Sequence, residues 1–83
     1  MDWVEELKAS LLRAGDHIAQ DHPIATRTSE EGEHFYFRLW HELPEGSKKH
    51  VTNFIRLFAK EHKWSVTKVI HKKFSIEIIA NQS

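Results

Sequence analysis

Apolar side chains recur at steps of three and four along the first segment of the chain. Val4, Leu7, Leu11, Ala14 and Ile18 form one stripe, with Leu12 beside it. That spacing predicts an amphipathic helix. Asp2 and Glu5 match the D-x-x-E form of a capping box at its start. Gly15 falls inside the run and costs about 1 kcal/mol relative to Ala. Pro23 ends the helix at or before His22.

The period then changes from three-and-a-half to two. Ile24 to Ser29 is rich in β-branched residues, and His34 to His41 is packed with Phe, Tyr and Trp. Glu30-Glu31-Gly32-Glu33 between them reads as the four-residue loop of a β-hairpin. Pro44, Gly46 and Ser47 break the pattern. Lys48 to Lys63 returns to helical spacing, with Val51, Phe54, Ile55, Phe58 and His62 as its stripe. Trp64 to Ile70 and Phe74 to Ala80 read as strands joined by His71-Lys72-Lys73. That turn holds no Gly, Asn or Asp, so neither its type nor the strand register follows from it.

The predicted order is αββαββ, an α+β fold in one domain over residues 1–83. Its two helix-hairpin halves span about 1–43 and 47–80. They align weakly. Ile18 to Ile24 runs against Phe58 to Trp64, and Phe35-x-Phe37-x-Leu39 runs against Phe74-x-Ile76-x-Ile78. A pseudo-twofold repeat of this kind predicts one four-stranded antiparallel sheet with both helices on one face and the other face open. Competing layouts put helices on both faces, or use the second hairpin to pair across a dimer.

Alternation decides what the open face would carry. Phe35, Phe37 and Leu39 form the apolar set and turn inward. Tyr36, Arg38 and Trp40 turn outward, a composition suited to a protein hot spot or a base-stacking platform. In the third strand Trp64, Val66, Lys68 and Ile70 are expected inward, and Ser65, Thr67, Val69 and His71 outward. In the fourth, Phe74, Ile76 and Ile78 are expected inward, with Ser75, Glu77 and Ile79 outward. The resulting outer surface is mixed rather than strongly basic and suits protein contact better than phosphate contact.

Charge alters this picture. The chain balances twelve basic against twelve acidic side chains. Residues 1–47, however, hold four basic and ten acidic, a net −6, while residues 48–83 hold eight and two, a net +6. Lys48, Lys49, Lys72 and Lys73 are the candidate polyanion contacts of the basic half. Lys48 and Lys49 would lie in the first helical turn, where the macrodipole disfavours cations. Three uses of the split compete: neutralisation within one fold, pairing of opposite halves between two copies, and contact with a phosphate backbone. Whole-chain neutrality and the lone Arg56 in the basic half weigh against the last.

The chemistry of most enzyme classes is missing. There is no G-x-G-x-x-G, P-loop, H-E-x-x-H or G-x-S-x-G motif. With no cysteine, there is no thiol nucleophile and no disulfide framework. The seven histidines include no i,i+4 pair. His22 and His62 match in the half-to-half alignment, at helix C-termini. Capping of terminal carbonyls explains such positions better than a metal does. No metal or other cofactor is expected. Seven imidazoles also make the net charge strongly sensitive to pH near 6.5.

No apolar run is long enough to span a membrane, and the acidic first residues are the reverse of a secretory signal. The expectation is a soluble, cytoplasmic, non-enzymatic binding or adaptor module. It would act by protein contact, with itself or another protein, through Tyr36, Arg38 and Trp40. The alternative is an RNA or single-stranded DNA binder that stacks bases on Tyr36 and Trp40 and holds phosphates with Lys48, Lys49, Lys72 and Lys73.

Overall fold

The computed structural model describes residues 3–13 and 19–83. The capping role expected of Asp2 and the placements expected of Ala14, Gly15 and Ile18 lie outside these. Among the described residues the order is α1 (Trp3–Arg13), β1 (Ala25–Ser29), β2 (Gly32–Arg38), α2 (Glu45–Glu61), β3 (Trp64–His71) and β4 (Ser75–Gln82). The strands form one antiparallel sheet in the order β1-β2-β4-β3. The inner strands of the two hairpins meet at its centre, and β1 and β3 form its edges.

Both helices cover the same face. Val4, Leu7 and Leu11 of α1 and Ile55 and Ala59 of α2 join Phe35, Phe37, Leu39, Ile76 and Ile78 in one buried cluster. Trp3, Phe35 and Trp64 close one end of that core, their ring centroids 5.6–5.9 Å apart. In β2, Tyr36 is half-buried and Arg38 exposed, and Trp40, past the end of the strand, is exposed too.

Several boundaries differ from the sequence expectation. The first helix ends before His22, within the limit that Pro23 sets, but the segment ahead of Pro23 already pairs with the sheet. Ala19 is already extended and bridges Leu39. The Gln20 N–H donates to the Arg38 carbonyl at 2.9 Å, and its side-chain amide donates to the Leu39 carbonyl at 2.6 Å. The buried Lys8 ammonium holds this segment from below by donating to the His22 carbonyl. These hydrogen bonds hold residues 19–22 against β2 and α1 instead of in a helix. The expected equivalence of His22 and His62 fails for the same reason, because only His62 ends a helix.

The first hairpin loop is two residues, Glu30 and Glu31, not four. Gly32 already pairs with Ser29. It sits at φ +137°, and a Cβ there would lie 2.8 Å from the Ala80 carbonyl oxygen. Glycine is required on both counts. The second helix begins at Glu45, three residues before the expected start. Glu45 therefore occupies the first turn, where a carboxylate suits the dipole. Lys48 pairs with it at 2.8 Å, so the unfavourable placement expected of Lys48 does not arise.

The third strand corrects the expected outer surface. A register shift between Val66 and Lys68 reverses its alternation. Val69 pairs opposite the inward Ile78 and packs against the core. Lys68 and Ile70 pair opposite Ile79 and Glu77 and share the open face with them. An extra residue on one strand has this effect wherever a β-bulge occurs. Ile79, expected outward, does lie on that face, yet it is buried.

Two histidines tie the helices down with opposite pH signs. At the C-terminus of α2, His62 donates from Nδ1 to the Phe58 carbonyl at 2.9 Å, and Nε2 meets Glu6 of α1 at 2.7 Å. The Phe58 carbonyl, and then Glu6, raise its pKa above 6.5. The resulting stability is fully present below the unfolded value and is lost as pH rises through the folded one. His71 of β3 meets the Thr52 hydroxyl at 2.7 Å. Burial, then the nearby Lys48, lower its pKa below 6.5. Its contribution is present above the unfolded value and is lost as pH falls through the folded one. His62→Gln is therefore expected to lower the urea midpoint in mild acid and to match the parent protein at alkaline pH. A titration of the midpoint across neutrality checks this.

Candidate functional site

The open face carries a connected polar array laid across β1, β2 and β4. Cross-strand pairing sets it: Arg27 lies opposite His34, and Tyr36 lies opposite Glu77. His34 and Glu77 are 3% and 6% exposed, both sealed although they face away from the helices. His34 Nδ1 lies 2.7 Å from Glu77 Oε2, and His34 Nε2 lies 2.6 Å from Ser29 Oγ. An ionised carboxylate only accepts, so Nδ1 carries a proton and donates. The Ser29 hydroxyl then donates to Nε2, while its oxygen accepts the Glu31 N–H at 3.2 Å.

Tyr36 is built into the same array. Its oxygen accepts from Arg27 Nε at 2.7 Å. Lys72 sits over its ring at 5.6 Å, and the His34 ring stacks beside it at 6.4 Å. Lys72 also approaches Glu77 at 3.7 Å, and Arg27 does so at 4.0 Å. The Tyr36 hydroxyl, then His34, and more weakly Lys72 hold the Glu77 carboxyl below the ordinary value. Tyr36 therefore braces a carboxylate, and its ring is already in contact with two neighbours.

Trp40 and Arg38 stand at the end of this face. Trp40 lies past the last paired residue of β2, in a bend, 57% exposed. The Leu39 N–H donates to the Phe74 carbonyl at 3.0 Å, which brings Phe74, 53% exposed, alongside the same strand end. Phe74 was expected inward with Ile76 and Ile78; it falls in the turn before β4 begins and points into water. Lys73 covers its ring at 5.6 Å. Beside Arg38, a shallow cavity of about 170 Å³ is lined by His22, Pro23, Ala25, Tyr36, Phe37 and Ser75.

The four candidate lysines come from two elements. Lys48 and Lys49 lie in the first turns of α2, and Lys72 and Lys73 in the β3–β4 turn. Lys48 is engaged by Glu45 and Lys72 by Glu77. Part of the charge split is neutralised inside the fold. Glu6, Glu31 and Glu45 of the acidic half meet His62, Lys68 and Lys48 of the basic half. Among the described residues, no group of three or more His, Asp or Glu side chains is placed to hold a metal ion, and no helix is long and apolar enough to cross a membrane.

Sequence reasoning placed Tyr36, Arg38 and the inward phenyl rings but missed Ser29, His34 and Phe74. One signal was available. Glu77 is the only charged residue between Ser75 and Ala80, and a carboxylate set among isoleucines needs a partner. No family model, curated protein or solved structure matches this chain.

Proposed function

We propose that this protein is a binding module that works by protein contact. Its docking surface is the end of the open sheet face around Arg38, Trp40 and Phe74, with a second copy of the chain as partner. The observation that carries this reading is an indole past the end of β2 and a phenyl group in the turn before β4, both more than half exposed, at the strand ends where Arg38 pairs with Ser75. Aromatic residues and arginine dominate the energetic centres of protein interfaces, and large exposed apolar patches mark them.

Charge supports the choice of partner. The sheet order sets the strands of the acidic half beside those of the basic half. A twofold pairing can lay each half against its opposite, and a chain of zero formal charge does not repel its copy. The cysteine-free composition fits a cytoplasmic setting.

Sedimentation equilibrium over a range of concentrations tests the proposal. The parent protein is expected to self-associate, and the Trp40→Ala/Phe74→Ala double variant to remain monomeric. A loss of two aromatic anchors typically weakens binding by roughly 2–4 kcal/mol, a factor of about 30–1,000. A parent protein that stays monomeric at every concentration overturns the reading.

One observation favours the nucleic-acid reading. The bulge turns Lys68 outward, so Arg27, Arg38, Lys68 and Lys72 share one face. Against it, the Tyr36 ring already has Lys72 over it. A salt titration of binding to a labelled single-stranded oligonucleotide separates the two readings, because phosphate contact weakens steeply with salt.

A further inference from the structure

We propose that Ser29 is an activated nucleophile, with His34 as its general base, able to accept an acyl group from an activated ester. Three groups stand in series on the open face. The Ser29 hydroxyl meets His34 Nε2 at 2.6 Å, and His34 Nδ1 meets Glu77 Oε2 at 2.7 Å. A nucleophile bonded to a base that is oriented by a third group is the arrangement that activates serine on unrelated folds. It is recognised by geometry and role, not by a local motif.

Burial is graded along the series. Glu77 and His34 are sealed, whereas Ser29, the last residue of the edge strand β1, is only half-buried. The carboxylate is shielded from water, and the hydroxyl can be approached. The ring has no freedom to turn, because both of its nitrogens are engaged. Glu77 accepts from Nδ1 and so leaves Nε2 free to take a proton.

The step balances. Ser29 Oγ bonds to the acyl carbon as its proton passes to His34 Nε2. The bond from that carbon to the leaving oxygen breaks, and the departing alcohol takes the proton from Nε2. Water, deprotonated by the same nitrogen, later cleaves the Oγ ester and restores the hydroxyl. Ser29 and His34 touch the reacting atoms; Glu77 is a positioning residue that acts through the imidazole.

The test is labelling of the full chain with a fluorophosphonate probe, followed by peptide mapping, with release of p-nitrophenolate from p-nitrophenyl acetate as a second readout. The probe is expected on Ser29. There, Oγ bonds to phosphorus and fluoride leaves. Ser29→Ala, at a half-exposed position, should keep the parent circular dichroism spectrum and lose the label. His34→Gln should slow labelling by about 100-fold or more, the usual worth of a positioned base. In His34→Ala, added imidazole should restore part of the rate. Glu77→Gln should slow labelling and shift the Nδ1 proton resonance of the imidazole upfield. Labelling no faster than in Ser29→Ala, label found on Ser47, Ser65 or Ser75 instead, or a His34→Gln rate equal to the parent's would each overturn the proposal. If the His34 variants do not fold, Ser29→Ala and the mapped position still decide it.

Discussion

Phe37→Ala is expected to cost about 3–5 kcal/mol, the usual loss when a buried phenyl group is cut back to a methyl. A chain of 83 residues has roughly 4–12 kcal/mol of net stability in total. The substitution therefore removes a large share of it, and with a stability near the low end it unfolds the protein. Phe37 is 2% exposed and pairs with Ile76 where the two central strands meet. Both helices contribute to the cluster around it, so its loss is felt across the fold. The neighbouring Arg38→Ala, on the opposite face of the same strand, is expected to change stability by less than about 0.5 kcal/mol. Urea midpoints of the two variants test the facing of β2 directly. Equal costs would mean that the strand is turned differently.

Removal of the Glu77 carboxylate has the second-largest expected effect. In Glu77→Gln the charge leaves, while His34 and Tyr36 stay sealed or half-sealed beside a neutral amide. Hydrogen bonds to a charged group are worth roughly 1.5–3 kcal/mol each, so a loss of about 2–4 kcal/mol is expected at neutral pH. The pH dependence has a definite sign. The Tyr36 hydroxyl and His34 depress the folded pKa of Glu77 below 4.5. Its stabilisation is complete above that value and disappears as pH falls through the folded pKa. Thermal midpoints of the parent and of Glu77→Gln should lie far apart at neutral pH and draw together in acid. A gap that persists unchanged into acid would show that the carboxylate carries no such role.

How much of this was legible in the residues varies by element. The alternation Phe35-x-Phe37-x-Leu39 suffices to turn β2, and with it Arg38, because an error of one position would put three large apolar groups in water. The αββαββ order follows from the change of period and from Pro44 and Gly46. The reading failed where a local pattern was overruled by something distant. Ala19 directly follows a helical stripe yet is bridged to Leu39, and no nearby residue announces it. In β3 the apolar positions Trp64, Val66 and Val69 step by two and then by three, which is the mark of an inserted residue. An unbroken alternation through Lys68 misses that step.

The Ser29-His34-Glu77 series was hidden for another reason. Ser29 and His34 are five residues apart, but Glu77 comes from the far hairpin, 43 positions beyond His34. Its placement requires the register between β2 and β4, which no turn in the chain specifies. Phe74 was assigned to a strand because it alternates correctly with Ile76 and Ile78. The pairing begins one residue later, and its ring is exposed beneath Lys73.

The two lateral borders of the sheet differ in what they permit. The outer border of β3 is crimped at the shifted residue between Val66 and Lys68, a shape that resists the addition of another strand. β1, at the other edge, pairs with β2 from Ala25 to Ser29 without a register shift, so its outer border is uninterrupted. Head-to-tail growth of a ribbon needs two usable borders, one giving and one receiving. A sheet with a single good border can at most meet its own copy, β1 against β1, and such a contact closes on itself after two molecules instead of spreading into a fibre.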